Sequence, residues 1–312
     1  MKILVDTVKI VEVGPRDGLQ NERVTLPTEA KVAYITALGD AGLRVIEAGA
    51  FVSPKWVPQM ADTAAVYGEI PKDPGVDYPV LVPNMKGLDR AIEAGVKSIA
   101  IFTAASETFN KRNINMSIDE SFDNYAPVAM SALQEGIKVR GYVSTAFGCP
   151  YEGDVAPEKV LEVCARLLDL GCYEVSVGDT IGVGTPMQVQ GVIGMLLQVI
   201  PTSKLAMHFH DTRGTALANT LGALEMGIAT FDASSGGLGG CPYAPGASGN
   251  LATEDLVYML DRMGIDTGID LNRLVEASMI IAPYLDHPLP GRYLQACTAK
   301  AAKVMAGSGA VQ

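Results

Sequence analysis

Short runs of β-branched and other apolar residues recur along the chain, separated by longer segments with helical patterns. Runs of this length are typical of half-buried or fully buried strands. The eight predicted strands are Val8–Val13, Val45–Glu47, Pro79–Val82, Ser98–Phe102, Val139–Val143, Tyr173–Val177, Leu205–Phe209 and Thr230–Ala233.

The intervening segments carry recognisable helix signals. Ser117 followed by Glu120 fits a capping box, and Pro157 and Pro186 suit a first helical turn. Strands alternating with helices predict an α/β fold, a (β/α)8 TIM barrel over residues 1–265, with a C-terminal helical extension over 266–312 packed on it. The alternative is a doubly wound open sheet, which is weakened because no G-x-G-x-x-G turn follows the first strand.

Composition narrows the class of protein. Hydrophobic residues make up 48% of the 312 residues and charged residues 19%, which excludes a largely disordered chain. The net charge of −11 argues against nucleic acid or an anionic membrane as a partner of the whole surface, but it allows a local basic pocket. Five cysteines without a Cys-x-x-Cys motif indicate a reducing, cytoplasmic location. Apolar stretches such as Val192–Ile200 are shorter than the roughly 20 residues that a membrane helix needs.

Polar residues gather at the ends of the predicted strands, where a TIM barrel places its chemistry. The strongest signal is His208 and His210, because residues two apart on a strand point to the same face. Such a pair can bind one divalent metal, or the two can be hydrogen-bonded core histidines. Asp17 and Asn250 would complete a set suited to octahedral Mg²⁺ or Mn²⁺. Alternatively, Asp17 forms a turn before Gly18, and Asn250 caps a helix beginning at Leu251.

Arg16 and Cys241 are candidates for the reaction itself. A guanidinium at a strand end can stabilise a developing oxyanion, although Arg16 could also form a structural salt bridge with Glu47. Cys241 lies in a glycine-rich loop and could donate or accept a proton when that loop closes. It could equally be a small buried hydrophobic residue. The glycine run itself is also compatible with a phosphate cradle.

Four stretches of the chain resemble the 3-hydroxy-3-methylglutaryl-CoA lyase family. They are Val11–Glu22, Phe51–Met60, Gly178–Pro186 and Gly237–Asn250. The resemblance extends from about Val8 to Gly264. It implies a TIM barrel with a metal held by four ligands, listed as Asp17, His208, His210 and Asn250. It also implies Arg16 as the stabiliser of an enolate oxygen and Cys241 as a loop acid. Glu47 and His208 join the catalytic set, and the residues expected to support the site are Gln20, Asp179 and Glu254.

The resemblance implies a metal-dependent retro-Claisen cleavage of 3-hydroxy-3-methylglutaryl-CoA (HMG-CoA) to acetyl-CoA and acetoacetate, as in leucine breakdown. After Glu47, however, the chain has Ala48-Gly49-Ala50 where the family carries small hydroxyl residues. A related thioester, such as citramalyl-CoA or an isoprenoid-type glutaryl-CoA, is therefore an alternative substrate.

Two other functions are considered. A Claisen-condensing synthase of the same superfamily is disfavoured because only about 48 residues follow Gly264. A non-catalytic metabolite-binding barrel is disfavoured because all four candidate ligands are present. The predicted partner is an acyl-CoA received by Lys55, Lys111 and Arg112, and a homo-oligomer is expected.

Overall fold

A computed structural model describes residue 3 and residues 5–240 and 249–299 of the chain. Every predicted strand is present. The second, predicted as Val45–Glu47, is observed as Val45–Ile46, and a further short piece, Gly49–Ala50, continues it after a break. The strands are β1 Lys9–Glu12, β2 Val45–Ile46, β3 Gly49–Ala50, β4 Val80–Leu81, β5 Ser98–Ala104, β6 Lys138–Ser144, β7 Glu174–Asp179, β8 Leu205–Phe209 and β9 Thr230–Ala233.

Helices separate these strands, and the capping box expected from the sequence forms at Ser117. A second capping box, which was not predicted, forms at Thr185, directly before the expected helix start at Pro186. The helix beginning after Ala156 starts at Pro157, as predicted. The helices are α1 Thr28–Asp40, α2 Thr63–Glu69, α3 Met85–Glu93, α4 Glu107–Ile114, α5 Ile118–Gln134, α6 Pro157–Asp169, α7 Pro186–Leu196, α8 Ala216–Glu225, α9 Thr253–Arg262 and α10 Leu271–Ile281.

The strands form one parallel sheet in the order β2-β1-β9-β8-β7-β6-β5-β4-β3. Only Glu47 and Ala48 separate the outermost pieces, β2 and β3. The N–H of Glu47 donates to Glu12 O on one side, and the N–H of Ala48 donates to Pro79 O on the other, both at 2.9 Å. The sheet therefore closes on itself, and the prediction of a TIM barrel is confirmed. The open-sheet alternative is wrong.

The position of β3 directly against α2 accounts for the glycine in the unusual Ala48-Gly49-Ala50 sequence. Gly49 has a φ of 155°, and a Cβ at this position would lie 2.7 Å from Thr63 Oγ1. The Thr63 hydroxyl, at the start of α2, also hydrogen-bonds both the N–H and the carbonyl of Ala50. Glycine at position 49 thus allows the backbone of this chain to pass directly against the Thr63 side chain.

The segment after residue 265 packs against the first helix of the barrel. The N–H of Asp270 donates to Ala41 O at 2.7 Å, and Arg273 Nη1 donates to Asp40 O at 3.2 Å. Residues 292–299 are again helical. The division of the chain at residue 265 stays a prediction. Within the described ranges, no helix combines the length and apolar character that crossing a bilayer requires.

Candidate active site

A tight turn directly after β1 places Arg16 and Asp17 at the mouth of the barrel. Residues Gly14–Gly18 form a single π-helical turn in which the N–H of Asp17 donates to Val13 O. A Cβ on Gly14 would lie 2.5 Å from Tyr34 Oη, and one on Gly18 would lie 2.8 Å from Leu238 Cβ. Both glycines are therefore needed for the turn to pack against its neighbours.

The buried Arg16 guanidinium joins two carboxylates. Its Nε donates to Glu47 Oε2 at 2.7 Å, and its Nη1 donates to Asp17 Oδ1 at 2.6 Å. Burial acts to raise the pKa of Asp17, but Arg16, the two neighbouring histidines and the hydrogen bond from Asn250 together lower it below its ordinary value. The ion pair with Glu47 considered from the sequence is present, and Arg16 also lines the cavity. Its role in stabilising an oxyanion stays a prediction.

The histidines of β8 and the segment after it lie beside Asp17. One ligand atom from each of Asp17, His208 and His210 falls within 4.8 Å of the others. The two histidine Nε2 atoms are 3.1 Å apart. Two nitrogens bound at adjacent positions of one ion, each about 2.1 Å from it, would be about 3.0 Å apart. The spacing of the imidazoles thus fits ligation of a shared metal.

The hydrogen-bond partner of His208 and the pKa of His210 also suit metal binding. Burial acts to lower the pKa of His208, but Asp232 and Asp17 raise it. His208 Nδ1 lies 3.2 Å from Asp232 Oδ2, which leaves its Nε2 directed at His210. A carboxylate partner on the other ring nitrogen is the usual support of a metal-binding histidine. Burial and the nearby His208 lower the pKa of His210 to about 3, so that ring is neutral.

Asn250 reaches the same place through a short backbone pairing. It forms an antiparallel bridge with His210, and its Nδ2 donates to Asp17 Oδ2 at 2.8 Å. Its buried Oδ1 has no hydrogen-bond partner within the described part of the chain. An unpartnered oxygen at this position suits a metal ligand. The alternative that Asn250 caps a helix starting at Leu251 is wrong, because α9 starts at Thr253 and its N-cap is Ala252.

These groups open onto a cavity of about 190 Å³ at the carboxyl ends of the strands. Gln20 lines it together with Arg16, Asp17 and both histidines. Apolar side chains share the wall, namely Leu81, Phe102, Phe109 and Val143. The cavity can therefore hold a ligand that has both charged and hydrocarbon parts.

Three buried polar residues were missed by sequence reasoning, and one of them, Tyr142, lines the cavity. Arg140 and Tyr142 point inward from β6, and Asp232 points inward from β9. Arg140 Nη2 donates to Asp232 Oδ1 at 2.8 Å, and Tyr142 Oη donates to Glu47 Oε1 at 2.8 Å. The available signal was the presence of charged residues inside apolar strand runs, since unpaired charges are rarely buried.

A second buried polar cluster lies below the glycine-rich segment. Glu12 accepts hydrogen bonds from the N–H groups of Gly14 and Ser235, and from Thr253 Oγ1. Glu254 accepts from the N–H of Gly236. Burial raises the pKa of Glu12 to about 8 and that of Glu254 to about 7. Glu254 thus holds the start of this segment and does not line the cavity in the described structure.

The other predicted site residues lie in different surroundings. Asp179 accepts from the N–H groups of Val183 and Gly184 and so holds the loop after β7. Lys111 and Arg112 are exposed on α4, the helix that also contributes Phe109 to the cavity wall. Lys55 is exposed near Trp56, away from the residues that line the cavity. Cys241 lies outside the described residues, so its role stays a prediction.

Comparison with known proteins agrees with this geometry. A family model described as HMGL-like matches residues 7–281. The mitochondrial hydroxymethylglutaryl-CoA lyase of Bos taurus is 57% identical over 289 residues, covering 93% of this chain and 89% of the relative.

Solved structures give the same result. The hydroxymethylglutaryl-CoA lyase of Pseudomonas aeruginosa is 50% identical with a TM-score of 0.94, covering 96% of this chain and all of the other. An HMG-CoA lyase of Acinetobacter baumannii, in complex with coenzyme A and 3-methylmalate, is 40% identical with a TM-score of 0.90; 95% of this chain and 97% of that chain are covered. The chain therefore belongs to the HMGL-like family.

Proposed function

We propose that the protein is a carbon–carbon lyase that cleaves HMG-CoA to acetyl-CoA and acetoacetate. The observation that carries this proposal is the convergence of Asp17, His208 and His210 beside the buried Arg16 guanidinium. A metal-ligand group and a fixed cation at one cavity are what an enolate-forming cleavage requires. The similarity to hydroxymethylglutaryl-CoA lyases over most of the chain supports the same reaction.

The residues present fit a divalent metal, and we propose Mg²⁺ or Mn²⁺. Asp17, His208, His210 and the unpartnered Oδ1 of Asn250 would hold it. Carboxylate and amide oxygens with neutral imidazoles suit these ions. A bound divalent ion would lower the pKa of a substrate hydroxyl and polarise an acyl oxygen.

The protein groups move the proton and hold the developing charge. Asp17 or a histidine accepts the proton of the C3 hydroxyl, the C2–C3 bond breaks, and its electron pair passes to the thioester as an enolate. Arg16 is positioned to hydrogen-bond the enolate oxygen because Glu47 and Asp17 fix its guanidinium at the cavity wall. Cys241 or a water then protonates C2, which completes acetyl-CoA. The proton lost from the hydroxyl is thereby balanced by the proton gained at carbon.

The acyl-CoA substrate class is supported by the structural relative that holds coenzyme A. Lys111 and Arg112, exposed on the helix that also lines the cavity, are our candidates for contacts with CoA phosphates, and Lys55 is a further one. Changing Lys111 and Arg112 together to alanine should raise KM and leave kcat unchanged.

We further propose a homo-oligomer in the cytoplasm, which light scattering and cell fractionation can test.

A panel of thioesters tests the proposed reaction. Protein loaded with Mg²⁺ or Mn²⁺ is incubated separately with HMG-CoA, citramalyl-CoA and an isoprenoid-type glutaryl-CoA, and acetyl-CoA release is measured. We expect the highest kcat/KM for HMG-CoA. A higher kcat/KM for another thioester would mean that this thioester, and not HMG-CoA, is the substrate. Condensation of acetyl-CoA with a keto acid, without any cleavage, would replace the lyase by a synthase.

A further inference from the structure

Arg140 is the branch point, or fork, from which two arms of the hydrogen-bond network that supports the candidate site begin. Its side chain is fully buried in the barrel interior. Each of its three nitrogens has a different acceptor: Nε donates to Glu174 Oε1 at 2.9 Å, Nη1 to Tyr142 Oη at 2.6 Å and Nη2 to Asp232 Oδ1 at 2.8 Å. A planar guanidinium with all three nitrogens engaged has one orientation, so its acceptors are fixed as well.

One arm of the fork leads to the metal-ligand group. Asp232 Oδ1 is held by Arg140, and Asp232 Oδ2 accepts from Ser176 Oγ at 2.6 Å and lies 3.2 Å from His208 Nδ1. The carboxylate cannot rotate without losing these contacts. It therefore keeps the proton of His208 on Nδ1 and directs the Nε2 lone pair toward His210 and Asp17.

The other arm leads to the guanidinium of Arg16. Tyr142 Oη accepts from Arg140 and, with its single proton, donates to Glu47 Oε1 at 2.8 Å. Glu47 Oε2 in turn accepts from Arg16 Nε. Because a hydroxyl has one proton to give, donation from Arg140 sets the direction of the whole arm.

We propose that Arg140 is a positioning residue that aligns both halves of the site at once, namely the metal ligand His208 through Asp232 and the oxyanion-binding Arg16 through Tyr142 and Glu47. The catalytic part of this inference rests on the proposed reaction, and the metal-binding part rests only on the proposed metal site. A buried ion network is weak evidence for stability in itself, because apolar side chains of similar volume often replace one without loss. Its value here lies in orienting groups that must meet a substrate with little freedom.

Three variants separate the two arms. Arg140→Lys keeps the charge but loses the three separate hydrogen bonds. Asp232→Asn removes the carboxylate charge between Arg140 and His208, and Tyr142→Phe removes only the hydroxyl that leads to Glu47. Arg166→Lys is the matched control, since Arg166 lies on the outer helix α6 and pairs with Asp119. For each protein we would measure Mn²⁺ affinity by paramagnetic resonance, kcat and KM for HMG-CoA, and the thermal midpoint.

The two arms predict different readouts. Asp232→Asn should weaken Mn²⁺ binding by about 10–100-fold. Tyr142→Phe should lower kcat at least about 10-fold while Mn²⁺ affinity stays within about twofold, because it disturbs only the orientation of Arg16. Arg140→Lys should show both defects with little change in KM, and Arg166→Lys should show neither.

If Arg140 had only a structural role, Arg140→Lys would lower the thermal midpoint, and Asp232→Asn and Tyr142→Phe would not differ in which of the two readouts they change. Wild-type kcat and Mn²⁺ affinity in folded Arg140→Lys would overturn the proposal. If Arg140→Lys does not fold, equal effects of Tyr142→Phe and Asp232→Asn on both readouts would overturn it instead. The affinity for Mn²⁺ is measured without a thioester, so failure of the wild-type protein to cleave HMG-CoA would reject the proposed function and leave the arm to His208 still tested.

Discussion

In two buried polar regions of the barrel, the pKa values of the carboxyl groups are shifted in opposite directions. In the barrel interior, Asp232 faces the guanidinium of Arg140 at 2.8 Å. Burial acts to raise the pKa of Asp232, but Arg140 and His208 together keep it well below its ordinary value. Outside the strand ring, Glu12 and Glu254 have N–H and O–H groups as their described partners, and burial raises the pKa of each carboxyl.

This difference distinguishes carboxylates that orient reacting groups from carboxyls that hold the backbone in place. A carboxylate beside a fixed cation stays ionised and can orient a reacting group such as His208 or Arg16. A buried carboxyl without a nearby cation binds its proton up to a higher pH and holds backbone groups in place, as Glu254 does for Gly236. Substitutions that remove a charge should therefore have large effects in the barrel interior and small effects below the glycine-rich segment.

The largest effect is expected for Arg16→Gln. Glutamine keeps a polar side chain but removes the positive charge that would face an enolate oxygen, so kcat for HMG-CoA cleavage should fall by at least about 10²–10³-fold. Steady-state assays of acetyl-CoA release measure this loss. Arg166→Gln, on the outer surface, is the control and should keep wild-type kcat. Full activity in Arg16→Gln would contradict the role given to this guanidinium.

A stability measurement compares the two regions directly. Asp232→Asn leaves the buried Arg140 without one of its counter-charges and should lower the free energy of unfolding by about 3–5 kcal/mol. Glu12→Gln resembles the protonated acid already favoured at neutral pH and should cost less than about 1 kcal/mol. Urea unfolding at pH 7 checks both values. Similar losses in the two variants would mean that the regions do not differ as described.

A third comparison of the two regions is the pH dependence of stability. The pKa of Glu12 is raised from 4.5 to about 8 and that of Glu254 from 4.5 to about 7, so the folded protein binds the additional protons. Their contribution is complete below about pH 4.5 and is lost as pH rises through about 7 and 8. The lowered pKa of Asp17 and of Asp232 acts in the opposite sense, with stability lost as pH falls below about 4.

The comparison protein for this effect is the Glu12→Gln/Glu254→Gln double variant. Its thermal midpoint should fall less steeply than that of the wild type between about pH 5 and pH 8, because every other titrating group is common to both proteins. Parallel curves would show that neither carboxyl takes up a proton on folding.

Much of the fold could be predicted from the sequence because its signals are local. Each strand is a short apolar run, and the capping box at Ser117 depends on residues three apart. The same holds for the candidate ligands on β8, since His208 and His210 share a face by strand periodicity alone. The division of the second strand was not predicted, because it depends on the contact of Gly49 with Thr63 in a following helix.

The network around Arg140 was not predicted because its partners come from distant strands. Arg140 and Asp232 are 92 residues apart, and Tyr142 and Glu47 are 95 apart. The periodicity of one strand shows whether a charged residue faces inward or outward. Which opposite charge it meets depends on how distant strands come together when the barrel closes. The two carboxyls below the glycine-rich segment depend in the same way on β1, α9 and α10 meeting there.

The central claim is that Asp17, His208, His210 and Asn250 form one metal site on which cleavage depends. It is tested most directly by stripping the protein with a chelator, titrating Mn²⁺ back and following acetyl-CoA release from HMG-CoA. We predict no release from the stripped protein, full recovery at one ion per chain, and no recovery in His208→Ala. Equal release with and without the metal, or recovery in His208→Ala at the same Mn²⁺ concentration, would contradict the account.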